Sequence, residues 1–268
     1  MLVKKYYSEQ SAKEWRRVVR DAYHRLEFDT TVYFMRKYLP KEGIVLDAGC
    51  GPGRYAIEFG KMGYDVVLFD LSQEMLEIAK KQVKRSGVQK ANKILQGSID
   101  DLSMFGDETF DAAACLGGSL SHLLDEAKRG KAVDELIRVT KKGSPIFVSV
   151  IGRTAVLVSE LIRSPQEIEL EFFKAIRDTG DYSGGYGFAP CHFYLPEELR
   201  FFLGNHGLEV LEMVGLEGLA SGHLRETNRL AKKYPVAWKT WWETHLKTCF
   251  LPTAIGISEH FLAICRKP

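Results

Sequence analysis

Ile44-Val45-Leu46-Asp47-Ala48-Gly49-Cys50-Gly51-Pro52-Gly53-Arg54-Tyr55-Ala56 is the stretch that decides the fold. Ile44, Val45 and Leu46 have the length and branching of a buried strand. The run ends on a carboxylate, Asp47, followed by glycines at 49, 51 and 53, and Arg54 to Met62 then reads as a helix. The pattern is a strand, a tight glycine-rich turn and a helix N-terminus. Glycine tolerates the backbone angles of so sharp a turn and lets a ligand approach the main chain.

Two kinds of ligand use such a turn. A dinucleotide asks for G-x-G-x-x-G and sets its pyrophosphate on the helix N-terminus. Gly49 and Gly51 fit that spacing, but the third position is Arg54. The spacing here is D-x-G-x-G-x-G, and a carboxylate before the turn suits an ammonium group rather than a pyrophosphate. The next apolar run, Asp65 to Phe69, ends at Asp70, where ribose hydroxyls are commonly held. Ammonium plus ribose without pyrophosphate describes S-adenosylmethionine (SAM).

Val45 to Gly53 resembles the first motif of the class I SAM-dependent methyltransferases of small-molecule type, and Asp70-Leu71-Ser72 resembles the acidic end of their second strand. The resemblance continues through Gly97 to Leu102, Phe110 to Gly117 and Gly143-Ser144-Pro145, so it covers residues 43–152. It implies SAM as cofactor and S-adenosylhomocysteine (SAH) as its product. It also implies a cofactor site in which Gly49, Gly51 and Gly53 carry the methionine part, with Asp47 on the ammonium directly or through water. Asp70 would accept both ribose hydroxyls, with Leu71 and Met75 beside the adenine and Ser98 and Ile99 at its edge. Many relatives carry an acid at the Ser98 position, which makes Asp100 the nearby substitute. Leu116 and Gly117 would lie closest to the sulfonium and methyl.

Composition narrows the classes. Lys+Arg 37 against Asp+Glu 35 leaves a net charge of +2, without the basic footprint of a dedicated nucleic-acid binder. The five cysteines are scattered, odd in number and free of C-x-x-C pairs, which suits reduced thiols better than disulfides or a zinc site. No metal is expected. With no apolar run long enough to span a bilayer, the expectation is a cytoplasmic protein with no membrane partner; a homodimer is left open.

Strand and helix signals alternate, implying an α/β fold with a doubly wound, mostly parallel seven-stranded sheet and helices on both faces; the resemblance implies that the last strand is antiparallel. Strands are expected at 93–96, 110–116, 145–151, 208–214 and 260–266, after the two at 44 and 65. Four segments follow: an N-terminal helical cap or lid over 1–40, with a helix from His24 to Tyr38; a SAM-binding core over 41–152; an insertion or lid over 153–194, too rich in glycine at 179–187 for regular structure; and a completion of the sheet over 195–268. The last carries a helical substrate-side insertion near 220–250, read as one helix with Trp238, Trp241 and Trp242 near one face.

Methyl transfer from SAM is an in-line displacement at a sulfonium with an excellent leaving group, so positioning supplies much of the acceleration. The sequence therefore marks the cofactor site better than any catalytic group. His122, just beyond the fourth strand, is the candidate general base, as its ordinary pKa suits that task. Tyr7, His24, Arg25 and His192 are the candidate substrate contacts. The fourth strand ends L-G-G-S, without the Asn- or Asp-Pro-Pro-aromatic motif of DNA amino-methylation and without a Pro-Cys nucleophile. The expected function is transfer of a methyl group to a small-molecule acceptor; the alternative is a SAM-binding regulatory or scaffold protein without turnover.

Overall fold

Each βα unit lays its strand into a common sheet and its helix against one face. The computed structural model describes residues 2–88, 90–91 and 93–268. In chain order the elements are α1 (Leu2–Arg17), α2 (Ala22–Tyr38), β1 (Ile44–Ala48), α3 (Arg54–Lys61), β2 (Asp65–Asp70), α4 (Gln73–Ser86), β3 (Lys93–Gln96), β4 (Ala112–Cys115), α5 (Glu126–Val139) and β5 (Pro145–Ile151). They continue with α6 (Arg153–Arg163), α7 (Glu171–Thr179), β6 (Asp181–Tyr182), β7 (Cys191–His192), α8 (Pro196–Asn205), β8 (Glu209–Gly215), α9 (Leu224–Lys233), α10 (Pro235–Thr248), α11 (Pro252–Ile257) and β9 (His260–Arg266).

The sheet order is β3-β2-β1-β4-β5-β9-β8. Strands β1 to β5 pair in parallel, and β9 runs antiparallel between β5 and β8. This is the expected seven-stranded sheet with a reversed last strand. The order turns back on itself between β1 and β4, which opens a crevice at the carboxyl ends of those strands.

Alternate residues of each strand serve opposite faces, as the pleat requires. Leu46, Phe69, Ala113 and Val148 join Val133 and Leu136 of α5 and Leu199 and Leu203 of α8 in one core. Val45, Leu68, Ala114 and Phe147 join Phe34 and Met35 of α2, Phe59 of α3 and Leu76 and Ala79 of α4 in the other. Burial of each Val, Leu, Phe or Met side chain among them contributes about 1.5–3 kcal/mol, so both helix layers are tied to the sheet. Helix ends follow local chemistry. Ser72 accepts from the Met75 N–H to cap α4, and Gly87 ends that helix in the left-handed region.

Three sequence expectations change. The fourth strand is shorter than 110–116, because Phe110 forms only an isolated bridge with Thr140 before β4 begins. The helix expected across 224–250 is two, since Pro235 has no N–H to continue α9 and instead opens α10. The insertion is ordered around its glycines: α7 and the short β6–β7 ladder build a small core of Ile151, Ile176, Tyr182, Cys191 and Phe193.

Candidate active site

Asp70 organises the glycine turn. Its Oδ2 accepts the Gly51 N–H at 2.8 Å and its Oδ1 accepts the Ser72 N–H at 2.8 Å. The N–H groups of Gly49 and Cys50 both donate to the Phe69 carbonyl, at 2.7 and 3.0 Å. Gly49, Gly51 and Gly53 have φ of 78°, 51° and 82°, the left-handed region that glycine enters without a Cβ penalty. Gly51 has nothing within 4 Å of where a Cβ would stand. Burial pushes the Asp70 carboxyl up, against the pull of the Ser72, Gly51 and Leu71 amides.

A cavity of about 470 Å³ opens over this turn at the carboxyl ends of the strands. Of the sequence-predicted cofactor residues, Gly49, Gly51, Asp70, Leu71, Met75, Ser98, Ile99, Asp100, Leu116 and Gly117 lie on its wall. The Ser98 hydroxyl donates to the Asp100 carboxylate, which joins the serine to its expected acidic substitute. Gly53 lies off the wall, packed against Ala79 and Leu68. Asp47 is also off the wall, buried behind the turn with its Oδ2 lacking any hydrogen-bond partner among the described residues. Burial and then the nearby Asp70 charge raise its pKa to about 7.

Helix α1 covers this cavity, with Val3, Lys4, Tyr7, Glu14 and Arg17 facing in. It is fastened at three places. The Ser8 hydroxyl donates to Glu74 at 2.6 Å. The Tyr7 hydroxyl meets His122 Nε2 at 2.6 Å. Arg54 donates through Nε to the Trp15 carbonyl at 3.1 Å and stacks 3.6 Å above the Trp15 ring. The residue that breaks the dinucleotide spacing is therefore one of the anchors of the covering helix.

The family described as "Methyltransferase domain" matches residues 45–143. The ubiquinone biosynthesis O-methyltransferase of Xanthomonas axonopodis pv. citri is 27% identical over 184 residues, covering 69% of this chain and 70% of that protein. The enzyme of the same name from Xylella fastidiosa is 29% identical over 185 residues, 68% of each chain. Residues 45–143 are a class I SAM-dependent methyltransferase domain. Solved structures agree at the level of fold. A SAM-dependent methyltransferase from Methanosarcina mazei superposes with a TM-score of 0.60 at 21% identity, covering 87% of this chain and 96% of that one. The 1,6-didemethyltoxoflavin-N1-methyltransferase of Burkholderia thailandensis, solved with 1,6-didemethyltoxoflavin and S-adenosylhomocysteine bound, gives 0.60 at 12% identity, covering 99% and 87%.

The methyltransferase has a second cavity, of about 640 Å³, which shares Tyr7, Glu14, Arg17 and Gly117 with the first. Its far wall is aromatic, with Phe172, Tyr182 and Tyr186 from the insertion, and its near wall carries Arg17, Glu27, Glu217 and His260. Among the four expected substrate contacts, Tyr7 lines both cavities and His24 lines the second. Arg25 does not reach either. It points outward along α2 and pairs with Asp29 at 3.0 Å, because one residue of helix turns a side chain about 100° away from its neighbour. His192 is also removed from the site: both ring nitrogens are engaged, by Asp181 and Glu198 at 2.6 Å each, in the buried base of the insertion. The 220–250 region contributes nothing to either wall, and Trp242 instead stacks on His245 at 5.5 Å.

Sequence reasoning missed Arg17, Glu27, Glu217 and His260. One signal was present. Tyr23, Glu27, Thr30, Thr31 and Phe34 recur at helical spacing on the buried face of α2, and an acid on such a face requires a partner.

Proposed function

We propose that the cavity over the glycine turn takes SAM, that the adjoining cavity takes a small-molecule acceptor, and that the methyl group passes at Gly117. The observation that carries this reading is the shared wall: Gly117, at the end of β4, borders both spaces. When bound, SAM supplies a methyl group activated by the sulfonium. The residues present fit that ligand. An orphaned buried carboxylate oxygen at Asp47 suits an ammonium reached through water, and the missing side chain at Gly51 leaves room for close approach to the main chain.

Asp70 would hold the ribose hydroxyls, Leu71 and Met75 would flank the adenine, and the Ser98–Asp100 pair with Ile99 would meet its edge. Gly49 shapes the turn, and Gly53 supports it from beneath. Leu116 lines the wall beside Gly117. Helix α1 would exclude water from both spaces through Tyr7 and Arg17, which strengthens the electrostatics inside. The names of the Xanthomonas and Xylella relatives support oxygen as the acceptor atom. Among the described residues no helix is long and apolar enough to cross a membrane.

Thermal unfolding tests the donor site. SAH at a hundred times its dissociation constant stabilises the fold by about 2.7 kcal/mol, and NAD leaves the melting temperature unchanged. Labelled methyl release across a panel of ring-containing small molecules tests the acceptor site. No shift with millimolar SAH would remove the whole reading.

A further inference from the structure

The near wall of the second cavity is a chain of ion pairs in which two cations, Arg17 and His260, border the open space. Arg17 Nη1 and Nη2 donate to the two Glu27 oxygens at 2.5 and 3.0 Å, and its Nε donates to Glu14 at 3.0 Å. His260 Nδ1 lies 2.9 Å from Glu217 Oε1 and 3.7 Å from Glu27 Oε2. The His260 backbone N–H donates to Glu217 Oε2 at 2.8 Å. Glu27 and Glu217 are thereby engaged by Arg17 and His260, which stand on the same wall. Glu259, also on the wall, accepts from the Tyr23 hydroxyl at 2.6 Å.

Toward the cavity the picture is reversed. His260 Nε2 has no hydrogen-bond partner among the described residues, and its ring borders the open space. Arg17 Nη2 stands 3.6 Å from the position a Cβ would take on Gly117. His122 Nε2 is occupied by the Tyr7 hydroxyl; carboxylates that also line this cavity, Glu14 beside Arg17 and Glu160 on α6, are on other parts of its wall from the His260 ring.

We propose that the acceptor is an acidic hydroxyl of the phenol or enol class, bound as its oxyanion against His260 Nε2–H and Arg17. This rests on the assignment of the second cavity to the acceptor. Burial alone would discharge His260, but Glu27 and Glu217 outweigh it and raise the pKa to about 9, so the ring is an imidazolium at neutral pH. An amine acceptor would present its lone pair to two cations, whereas an oxyanion gains from both. The hydroxyl proton leaves to solvent on binding. The oxygen lone pair then forms the O–CH₃ bond as the C–S bond breaks and its electrons remain on sulfur, so the step needs no general base.

Glu27, Glu217 and His260 hold atoms within 4.8 Å of one another that could ligate a metal ion. The Arg17 fork already covers Glu27, and a cation there would have to expel the His260 proton. The cluster is therefore better matched to an imidazolium than to a metal.

The test uses 4-nitrophenol, whose anion is yellow, added to SAH-saturated protein. The ionisation midpoint of the bound dye is expected to fall by roughly one to three pH units and to return toward its free value in His260→Gln, while the SAH thermal shift persists. Should His260→Gln fail to fold, Arg17→Gln, on the covering helix, carries the same expectation for the dye midpoint alone, read at SAH concentrations that saturate the variant. A midpoint that stays or rises, a dye that does not bind the SAH-loaded protein, indifference to both variants, or a shift that a chelator abolishes and magnesium or zinc restores would each overturn the proposal. Absence of SAH binding would instead sink the two-cavity reading beneath it.

Discussion

The Tyr7 hydroxyl donates to His122 Nε2 across 2.6 Å, while His122 Nδ1 lies 2.9 Å from the Pro190 carbonyl. A carbonyl only accepts, so Nδ1 carries the proton and Nε2 accepts from the tyrosine. One imidazole thus links the covering helix to the insertion. Burial, reinforced by Arg17 and only partly opposed by the Pro190 carbonyl, lowers its pKa to about 4.

A group held neutral in this way is a poor general base at physiological pH and a good latch. The pH profile of kcat/KM is expected to show no inflection near 6.5 attributable to His122. Tyr7→Phe, which removes one hydrogen bond worth about 1 kcal/mol, is expected to raise the SAH dissociation rate several-fold. Stopped-flow displacement of SAH reads this directly. An unchanged off-rate would mean that α1 is not fastened at this point.

The same latch illustrates what the sequence could disclose. The sheet was legible because its signals are local: branched runs at 44–46 and 65–69, the Ser72 cap, and the glycine spacing each declare themselves within a few residues. Ten of the twelve expected cofactor residues reach the wall because strand ends and turns fix them by register. The acceptor side was not legible because it is assembled from distant elements. Glu27 from α2, Glu217 after β8 and His260 on β9 meet only once β9 is inserted beside β5. His192 was misjudged for a related reason: nothing local says that Asp181 and Glu198 will close on it from both sides.

Asp70 both braces the turn and borders the cavity, which allows the two roles to be separated. Asp70→Asn keeps one acceptor oxygen for the main chain but loses the charge. It is expected to weaken SAH binding at least tenfold, about 1.4 kcal/mol, with a smaller change in unfolding free energy. Calorimetric titration beside urea denaturation distinguishes them. Equal losses in both would make Asp70 a purely structural brace.

Gly49 and Gly51 share a left-handed backbone and differ in surroundings. A Cβ on Gly49 would come within 2.6 Å of the Ser119 Cβ, so Gly49→Ala combines backbone strain of roughly 1–2 kcal/mol with a clash and should lower the melting temperature markedly. A Cβ on Gly51 meets nothing within 4 Å. Gly51→Ala should therefore show the smaller stability loss and a disproportionate loss of SAH affinity, because the methyl enters the space the ligand needs. The reverse order in paired melting and binding measurements would contradict the placement of the ligand over the turn.

His260 makes stability fall on the alkaline side. Its pKa in the fold, about 9, lies above the ordinary 6.5 because Glu27 and Glu217 outweigh the burial that would lower it. A raised basic group contributes stability that is fully present below its unfolded pKa and is lost as pH rises through its folded one. The window is thus pH 6.5 to about 9, and the contribution is on the order of 3 kcal/mol at 1.36 kcal/mol per pKa unit. Urea unfolding of the wild type and of His260→Gln at pH 6, 7.5 and 9.5 isolates it, since the lysines and tyrosines that titrate at high pH are common to both. The gap between the two proteins should narrow steadily toward pH 9.5. A gap that stays constant would mean that His260 is neutral in the fold, and Glu217 would then need another counter-charge.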